Sequence, residues 1–178
     1  MSNTSRTWLW AISGPLLFLS SWVTHHFFYI QGVSDFYFNL AFDLILIYAL
    51  GLRALLLIFA SSAISTVLIW DHQWIESPLF AIPEIVFSFS SWFLFKYIAN
   101  GDPGLRTLKD LIGFILLGLL IPYLFQQVLL MEVVSATEYG PRPSDYIQSL
   151  VLSLSGDMIP LLSICLPILY LIHRPFDG

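Results

Sequence analysis

The stretch FYFNLAFDLILIYALGLRALLLIFASSAISTVLIW, residues 36–70, decides the fold. It contains one acid, Asp43, and one base, Arg53, and almost all its other residues are apolar. A helix crosses a membrane with about 20 residues, so this run is too long for a single ordinary span. The middle of this run is Gly51, Leu52 and Arg53. The pattern predicts a tight helical hairpin with Arg53 at the membrane surface. The alternative is one long buried helix interrupted at Gly51.

The composition is that of an integral membrane protein. Of the 178 residues, 57% are hydrophobic and 11% are charged, and the mean hydropathy is +0.80. Charged residues make up about 25% of an ordinary soluble domain. The sequence therefore predicts a single domain, an all-α polytopic bundle of six transmembrane helices in a lipid bilayer. The predicted spans cover about residues 8–30, 36–52, 54–70, 78–98, 108–131 and 146–172.

The basic residues indicate the orientation of these spans, because Lys and Arg accumulate on the cytoplasmic side of a membrane. With six spans, Arg142 falls on one side, and the other basic residues all fall on the opposite side: Arg6, Arg53, Lys96, Arg106, Lys109 and Arg174. We therefore expect both termini in the cytoplasm, with the chain in a bacterial inner (plasma) membrane. The first apolar run, 8–30, lacks a small-residue cleavage pattern and is expected to remain as the first helix.

Three acids interrupt the predicted spans. Asp43, Glu84 and Asp157 lie in the outer half or at the centre of the membrane in this orientation, and no Lys or Arg lies at the same depth. Charged groups inside a membrane are costly unless they face a shared wet cavity. The pattern predicts a ligand-binding cavity open to the outside. Its mouth is expected to carry His25, His26, Asn39, Gln126 and Gln127.

A simpler alternative assigns each acid to helix packing. A protonated carboxyl group that is hydrogen-bonded to a neighbouring helix stabilises a bundle modestly, and Ser153 and Ser155 lie close to Asp157 in sequence. An intramembrane aspartyl dyad would need two acids at one depth, and Asp43 with Asp157 comes closest. Pro160 follows Asp157 by about one turn, which predicts a distorted helix beside that acid.

No catalytic or cofactor motif is present. The sequence lacks a nucleophile elbow, a P-loop and a zinc-protease helix, so we expect no enzyme activity and no cofactor. The histidines lack HxxxH and HExxH spacing, and interfacial histidines are a simpler interpretation than a metal or haem site. Cys165 is the only cysteine, which excludes a disulfide framework within the chain. The net charge of −5 and the lack of a basic patch argue against nucleic acid as a partner.

Three segments resemble the bacterial membrane-associated sensor domain of the first type (the MASE type-one family). They are PEIVFSFSSWFLFKYIANGDPGLRTLKDLIGFILLGLLIP (83–122), ALGLRALLLIF (49–59) and SLSGDMIPLLSICLPILYL (153–171). The resemblance implies that Glu84 and Asp157 are the family's helix acids. It implies that Arg106, Lys109 and Asp110 are its loop charges. The family's Trp-Pro pairs are replaced here by other residues.

The resemblance also implies a role in signalling. Members of that family continue into a cytoplasmic kinase, diguanylate cyclase or phosphodiesterase, so this chain is expected to be the sensor part of a longer protein or to act through a separate partner. Our leading hypothesis is a sensory module that binds a small ligand or ion from the outer side and signals to a cytoplasmic effector (a two-component kinase or a cyclic-di-GMP enzyme), in cis or in trans.

Two alternatives come from other functional classes. Six spans in about 180 residues also resemble the substrate-binding subunit of a vitamin-type small-solute transporter, which would require a partner ATPase. The third hypothesis is a structural assembly subunit with a partner membrane protein in fixed stoichiometry, where the polar cluster would hold helices or chains together. The sequence is also compatible with a homo-oligomer.

Overall fold

The computed structural model describes residues 3–27, 29–30, 33–34, 38–71, 73–136 and 146–173. The α-helices are α1 (Asn3–Phe27), α2 (Phe38–Leu50), α3 (Ala54–Leu68), α4 (Ser77–Phe93), α5 (Leu108–Gly113), α6 (Ile121–Ala136), α7 (Tyr146–Pro160) and α8 (Leu166–His173). Three π-helical segments continue or join them: π1 (Leu94–Ile98), π2 (Phe114–Leu120) and π3 (Leu161–Cys165). A 3-10 turn, Gly51–Arg53, joins α2 to α3, and the two-residue antiparallel strands β1 (Tyr29–Ile30) and β2 (Val33–Ser34) follow α1.

The run 36–70 forms the predicted hairpin. The hydroxyl of Ser20 donates to Asn39 Oδ1, and the indole N–H of Trp70 donates to Oγ of the next residue, Ser21, at 3.4 Å. A straight helix would separate residues 39 and 70 by about 46 Å. Since both reach adjacent residues of α1, the chain reverses between them. Gly51 supplies the turn with a φ of +69°, a conformation that glycine adopts without steric cost.

The helices alternate in direction through the bundle. Trp70, two residues after the end of α3, contacts His25 near the end of α1, and we call this end of the bundle the histidine end. The opposite end carries the turn at Arg53, and there Arg106 Nη2 donates to the carbonyl oxygen of His173 at 3.4 Å. We call it the arginine end. Helix α1 therefore begins, and α8 ends, at the arginine end.

Within the described residues, four helical stretches are long and apolar enough to cross a membrane: Phe38–Leu68, Ser77–Ile98, Leu108–Val134 and Ser153–His173. The first of these is the hairpin, so it contains two legs that run in opposite directions. The all-α, multi-pass architecture predicted from the sequence is confirmed at this level. The number of six crossings stays a prediction.

Helix α1 has the length of a membrane span but is less apolar than those four stretches. The reason is that one of its two faces is polar. Ser13, Ser20, Ser21 and Thr24 are buried against the other helices. The opposite face exposes large apolar side chains, among them Trp8, Ile12, Leu19 and Trp22. Polar groups inside and apolar groups outside reverse the pattern of a soluble helix, as is expected where lipid replaces water around the bundle.

Helix α2 lies at the centre of the bundle. Nine of its thirteen residues are buried, and it contacts α1, α3, α4, α7, π3 and α8. Its apolar side chains form the core together with Phe87, Phe95 and Phe114. Around this core, the outer faces of the other helices expose Leu, Ile and Phe. A polar residue on α2 is therefore among the most deeply enclosed groups of the described structure.

Some helix ends differ from the ends of the predicted spans. The first span was expected to run from residue 8 to residue 30, but α1 begins at Asn3 and ends at Phe27, and the chain then enters β1. The start of the second predicted span, at residues 36–37, and the connection 137–145 lie outside the described residues. The distortion predicted beside Pro160 is confirmed, because π3 begins at the next residue. Pro15 and Pro83 lie inside regular helices.

Candidate ligand site in the bundle core

Asp43 and Glu84 form the centre of the candidate site. Asp43 lies on the central helix α2 and Glu84 on α4, and both are buried, with 1% and 6% of their surface exposed. The two carboxyl groups are close enough for their charges to interact. Oδ2 of Asp43 has no hydrogen-bond partner. Burying a carboxyl oxygen without a partner is unfavourable, so this position is suited to an additional group that neutralises or bonds it.

Helix geometry places further oxygen atoms at about the height of this pair. Ser61 lies seven residues before the end of α3, and Glu84 seven residues after the start of α4, so the two lie at similar height on either side of one loop. Ser88 follows Glu84 by one turn on α4. Both serines are buried, and their hydroxyl oxygens have no hydrogen-bond partner. Three unpartnered oxygens therefore occupy this part of the core, counting Asp43 Oδ2.

A hydrogen bond between α4 and π2 fixes the height of Gln126. The hydroxyl of Ser91 donates to the carbonyl oxygen of Gly118. Glu84 lies seven residues from Ser91 and Gln126 eight residues from Gly118, both toward the histidine end. At 1.5 Å per residue these distances are about 10 and 12 Å, so the two side chains share one layer. Gln126 is 3% exposed, and its Oε1 has no hydrogen-bond partner.

Asp157 has a protein partner that the sequence did not identify. The phenolic O–H of Tyr123 on α6 donates to Asp157 Oδ2 at 2.7 Å, and Gln127 and Ser153 lie beside the same phenol. Tyr123 is fully buried and Asp157 is 4% exposed. The acid whose charge interacts with Asp43 is Glu84, on the neighbouring helix α4. For Asp157 the hydrogen bond from Tyr123 favours the packing interpretation.

The remaining predicted residues lie nearer the histidine end. His25 packs edge-on against Trp70 with ring centroids 4.7 Å apart, and the exposed His26 stacks on Trp22 at 4.4 Å. His26 Nδ1 is 3.0 Å from the carbonyl oxygen of Trp22. Asn39 is buried and bonded by Ser20. These contacts are those of interfacial aromatic and polar groups.

The sequence analysis missed Tyr123, Ser61 and Ser88. Tyr123 precedes Gln126 and Gln127 by three and four residues, the spacing of one helix face, and this signal could have been used. The two serines belong to a chain with many serines, and only the structure shows that their hydroxyls are buried without a hydrogen-bond partner. Within the described residues, no group of three or more His, Cys, Asp and Glu side chains is placed to hold a metal ion. Cys165 is a buried free thiol.

The loop before α5 is held by its own charges. Arg106 Nε lies 3.3 Å from Asp102 Oδ2, and Thr107 and Asp110 form a reciprocal capping box at the start of α5. Lys109 is exposed. Arg106 also bonds the end of α8, as described above. The loop residues singled out by the sequence thus lie where the last described helix ends.

No family model matches the chain, and no curated protein or solved structure matches it significantly.

Proposed function

We propose that this protein is a six-pass sensory module of a bacterial inner membrane, with the histidine end outside and the arginine end in the cytoplasm. The observation that carries the proposal is the buried pair of Asp43 and Glu84, with an unpartnered oxygen on Asp43. Ionisable groups so enclosed in an apolar bundle are typical of ligand and ion sites in membrane proteins. The ligand reaches the pair from the histidine end.

A route from this pair to the cytoplasm supports a sensory role. Asp43 lies on α2, which packs against π3 and α8. Helix α8 ends at His173, where Arg106 bonds its carbonyl oxygen. A ligand that changes the spacing of α2 and α4 would therefore press on the helix that leads to the C-terminal segment. In this proposal the effector is a kinase or a cyclic-di-GMP enzyme, in the same chain or in a partner.

The test compares Asp43→Asn with the matched control Asp71→Asn. Asp71 is an exposed loop residue with a φ of +58°, which asparagine tolerates equally well. Each protein is cross-linked in its native membrane and purified, and the kinase or cyclic-di-GMP activity that accompanies it is measured. We expect Asp43→Asn to change that activity at least severalfold, at an unchanged amount of bound effector, and Asp71→Asn to change neither.

The same purification separates the alternatives. If an ATPase accompanies the chain and vesicles containing both take up a solute, the protein is a transport subunit. If Asp43→Asn lowers the amount of a stoichiometric partner without changing any activity, the protein is an assembly subunit. Either outcome would contradict the sensory proposal.

A further inference from the structure

The ligand class can be read from the atoms that surround Asp43 and Glu84. The groups placed there are two carboxyl groups and neutral hydroxyls, all of which offer oxygen. Oxygen donors select hard cations such as Na⁺, Mg²⁺ and Ca²⁺, whereas soft metals prefer thiolate or imidazole. Two facing carboxylates also repel each other, and a cation between them converts that repulsion into attraction.

Ser88 is an independent indication of a bound group. Successive residues of a helix are rotated by about 100° about its axis. Relative to Glu84, Ser88 is therefore rotated about the axis of α4 by about 40°, and Ser91 by about 20° in the opposite sense. Glu84 interacts with Asp43, and the backbone oxygen of Ser91 accepts from Tyr48, so the positions about one turn before and one turn after Ser88 along α4 both lie against α2. Ser88 therefore faces α2 as well, and helical side chains lean toward the N-terminus, here toward Glu84. Its hydroxyl is fully buried and has no partner.

The serines of α3 extend this set toward the histidine end. Ser65 and Ser61 lie three and seven residues before the end of α3, or about 5 and 10 Å below it. Both hydroxyls are buried without a hydrogen-bond partner. Together with the acids and Ser88, they supply oxygen atoms at successive depths from the loop 69–76 inward.

We infer that the core of the bundle binds a hard metal cation between α2 and α4, where Asp43, Glu84 and Ser88 coordinate it. The cation enters past Ser65 and Ser61. The inference deepens the proposed function, because this cation is then the signal or is bound together with it. The protein ligands come from three side chains on two helices, so binding fixes α2 relative to α4.

The experiment measures thermal unfolding of the purified protein in the presence of single salts. Cys165 is the only cysteine and is fully buried, so a thiol-reactive dye reports the opening of the core without added labels. NaCl, MgCl₂ and CaCl₂ are titrated separately against choline chloride at constant ionic strength. We expect one of them to raise the unfolding midpoint by several degrees, with the concentration dependence of a single saturable site.

Variants show whether the stabilisation comes from this site. Asp43→Asn and Glu84→Gln are expected to abolish the cation-dependent shift, and Ser88→Ala to raise the apparent Kd about tenfold, by loss of one bond to a charged group. Asp71→Asn should retain the wild-type shift. Ser13→Ala should do so too, since Ser13 is buried but already donates to the carbonyl oxygen of Trp10.

Two results would overturn the inference: no specific shift with any of the three salts, or an undiminished shift in Asp43→Asn and Glu84→Gln. If the salts have no effect while Asp43→Asn still changes the effector activity, the cation is wrong and the sensory function stands. If the cation binds through Asp43 and the effector activity never responds, the sensory function is wrong and the cation site stands.

Discussion

At the scale of single residues, the two other buried acids, Asp157 and Glu84, make different interactions. Asp157 receives a hydrogen bond from Tyr123 at 2.7 Å, which matches the geometry of a strong O–H···O contact. Glu84 interacts electrostatically with Asp43, whose Oδ2 has no hydrogen-bond partner. A carboxyl group with a donor from the neighbouring helix stabilises the packing of that helix, whereas a buried carboxyl oxygen without a donor is unfavourable until another group bonds it. We therefore assign a structural role to Asp157 and a binding role to Asp43 with Glu84.

Replacing Tyr123 with Phe tests the structural role. The ring is retained but the donor to Asp157 is lost, which leaves a buried carboxyl oxygen without that bond, and this costs about 1–3 kcal/mol. We expect a lower unfolding midpoint in the Cys165 dye assay and unchanged cation dependence. Tyr97→Phe is the control, since Tyr97 is 57% exposed. Equal midpoints for the two variants would refute the role assigned to Tyr123.

The depth of the polar residues could be predicted from the sequence, but their pairing could not. Counting residues from the ends of the spans placed Asp43 and Glu84 at similar depth, and the structure brings them together. Counting also made Asp43 and Asp157 the closest candidates for a dyad. Which acids meet depends on the rotation of each helix about its axis, and an acid within an almost uniformly apolar helix such as α2 gives no sequence signal for that rotation.

At the scale of secondary structure, a proline leaves a backbone carbonyl oxygen without its usual donor, and a side chain of another helix donates to that oxygen. Pro122 has no N–H to donate to the carbonyl oxygen four residues earlier, which is that of Gly118. The Ser91 hydroxyl donates to this oxygen instead and connects α4 to π2. The π-helical segment therefore lies where a helix loses its regular bonding and gains a contact with its neighbour, as such segments often do. The sequence indicates the proline, but the serine that donates is known only from the packing.

Gly51 is the element-scale feature with the clearest stability prediction. An L-residue at its φ of +69° costs about 1–2 kcal/mol, while a Cβ at this position would meet no atom within 4 Å. Gly51→Ala should therefore lower the unfolding midpoint through backbone strain alone. In the control Gly14→Ala, a Cβ also meets nothing within 4 Å, but Gly14 lies inside α1, where alanine is favourable. That variant should keep or raise the midpoint, and a fall as large as that of Gly51→Ala would contradict the assignment of the turn.

At the scale of the whole molecule, the inverted polarity of the bundle explains why it needs a membrane. Buried serines, threonines and acids occupy the inside, and exposed tryptophans, leucines and phenylalanines form the outside. Composition alone predicted this class of protein. The predicted spans of the hairpin, 36–52 and 54–70, were already short, and the helices are shorter still, with 13 and 15 residues in α2 and α3. At 1.5 Å per residue they reach about 20 and 23 Å, less than a hydrocarbon core of about 30 Å.

Because the arms are this short, the membrane topology depends on how deep in the bilayer the turn Gly51–Arg53 lies. In one arrangement both arms cross, because Arg53 extends its long side chain to the far surface and the bilayer thins around the short hairpin. The alternative is a re-entrant hairpin that enters from the histidine end and returns to it. Both arrangements leave α1 and α4 with the same orientation, and they differ only in whether Leu52 reaches the membrane surface at the arginine end.

Cysteine labelling distinguishes these arrangements. Leu52 in the turn and Ile75 in the loop 69–76 are 47% and 85% exposed, whereas Cys165 is fully buried, so the native protein serves as an unlabelled control. We expect a membrane-impermeant maleimide to label Ile75→Cys in right-side-out vesicles and Leu52→Cys only in inverted ones. Labelling at Leu52 should be the slower of the two, because a short hairpin holds its turn below the surface. If Leu52→Cys is labelled from neither side, the hairpin is re-entrant, and the chain crosses the membrane four times instead of six.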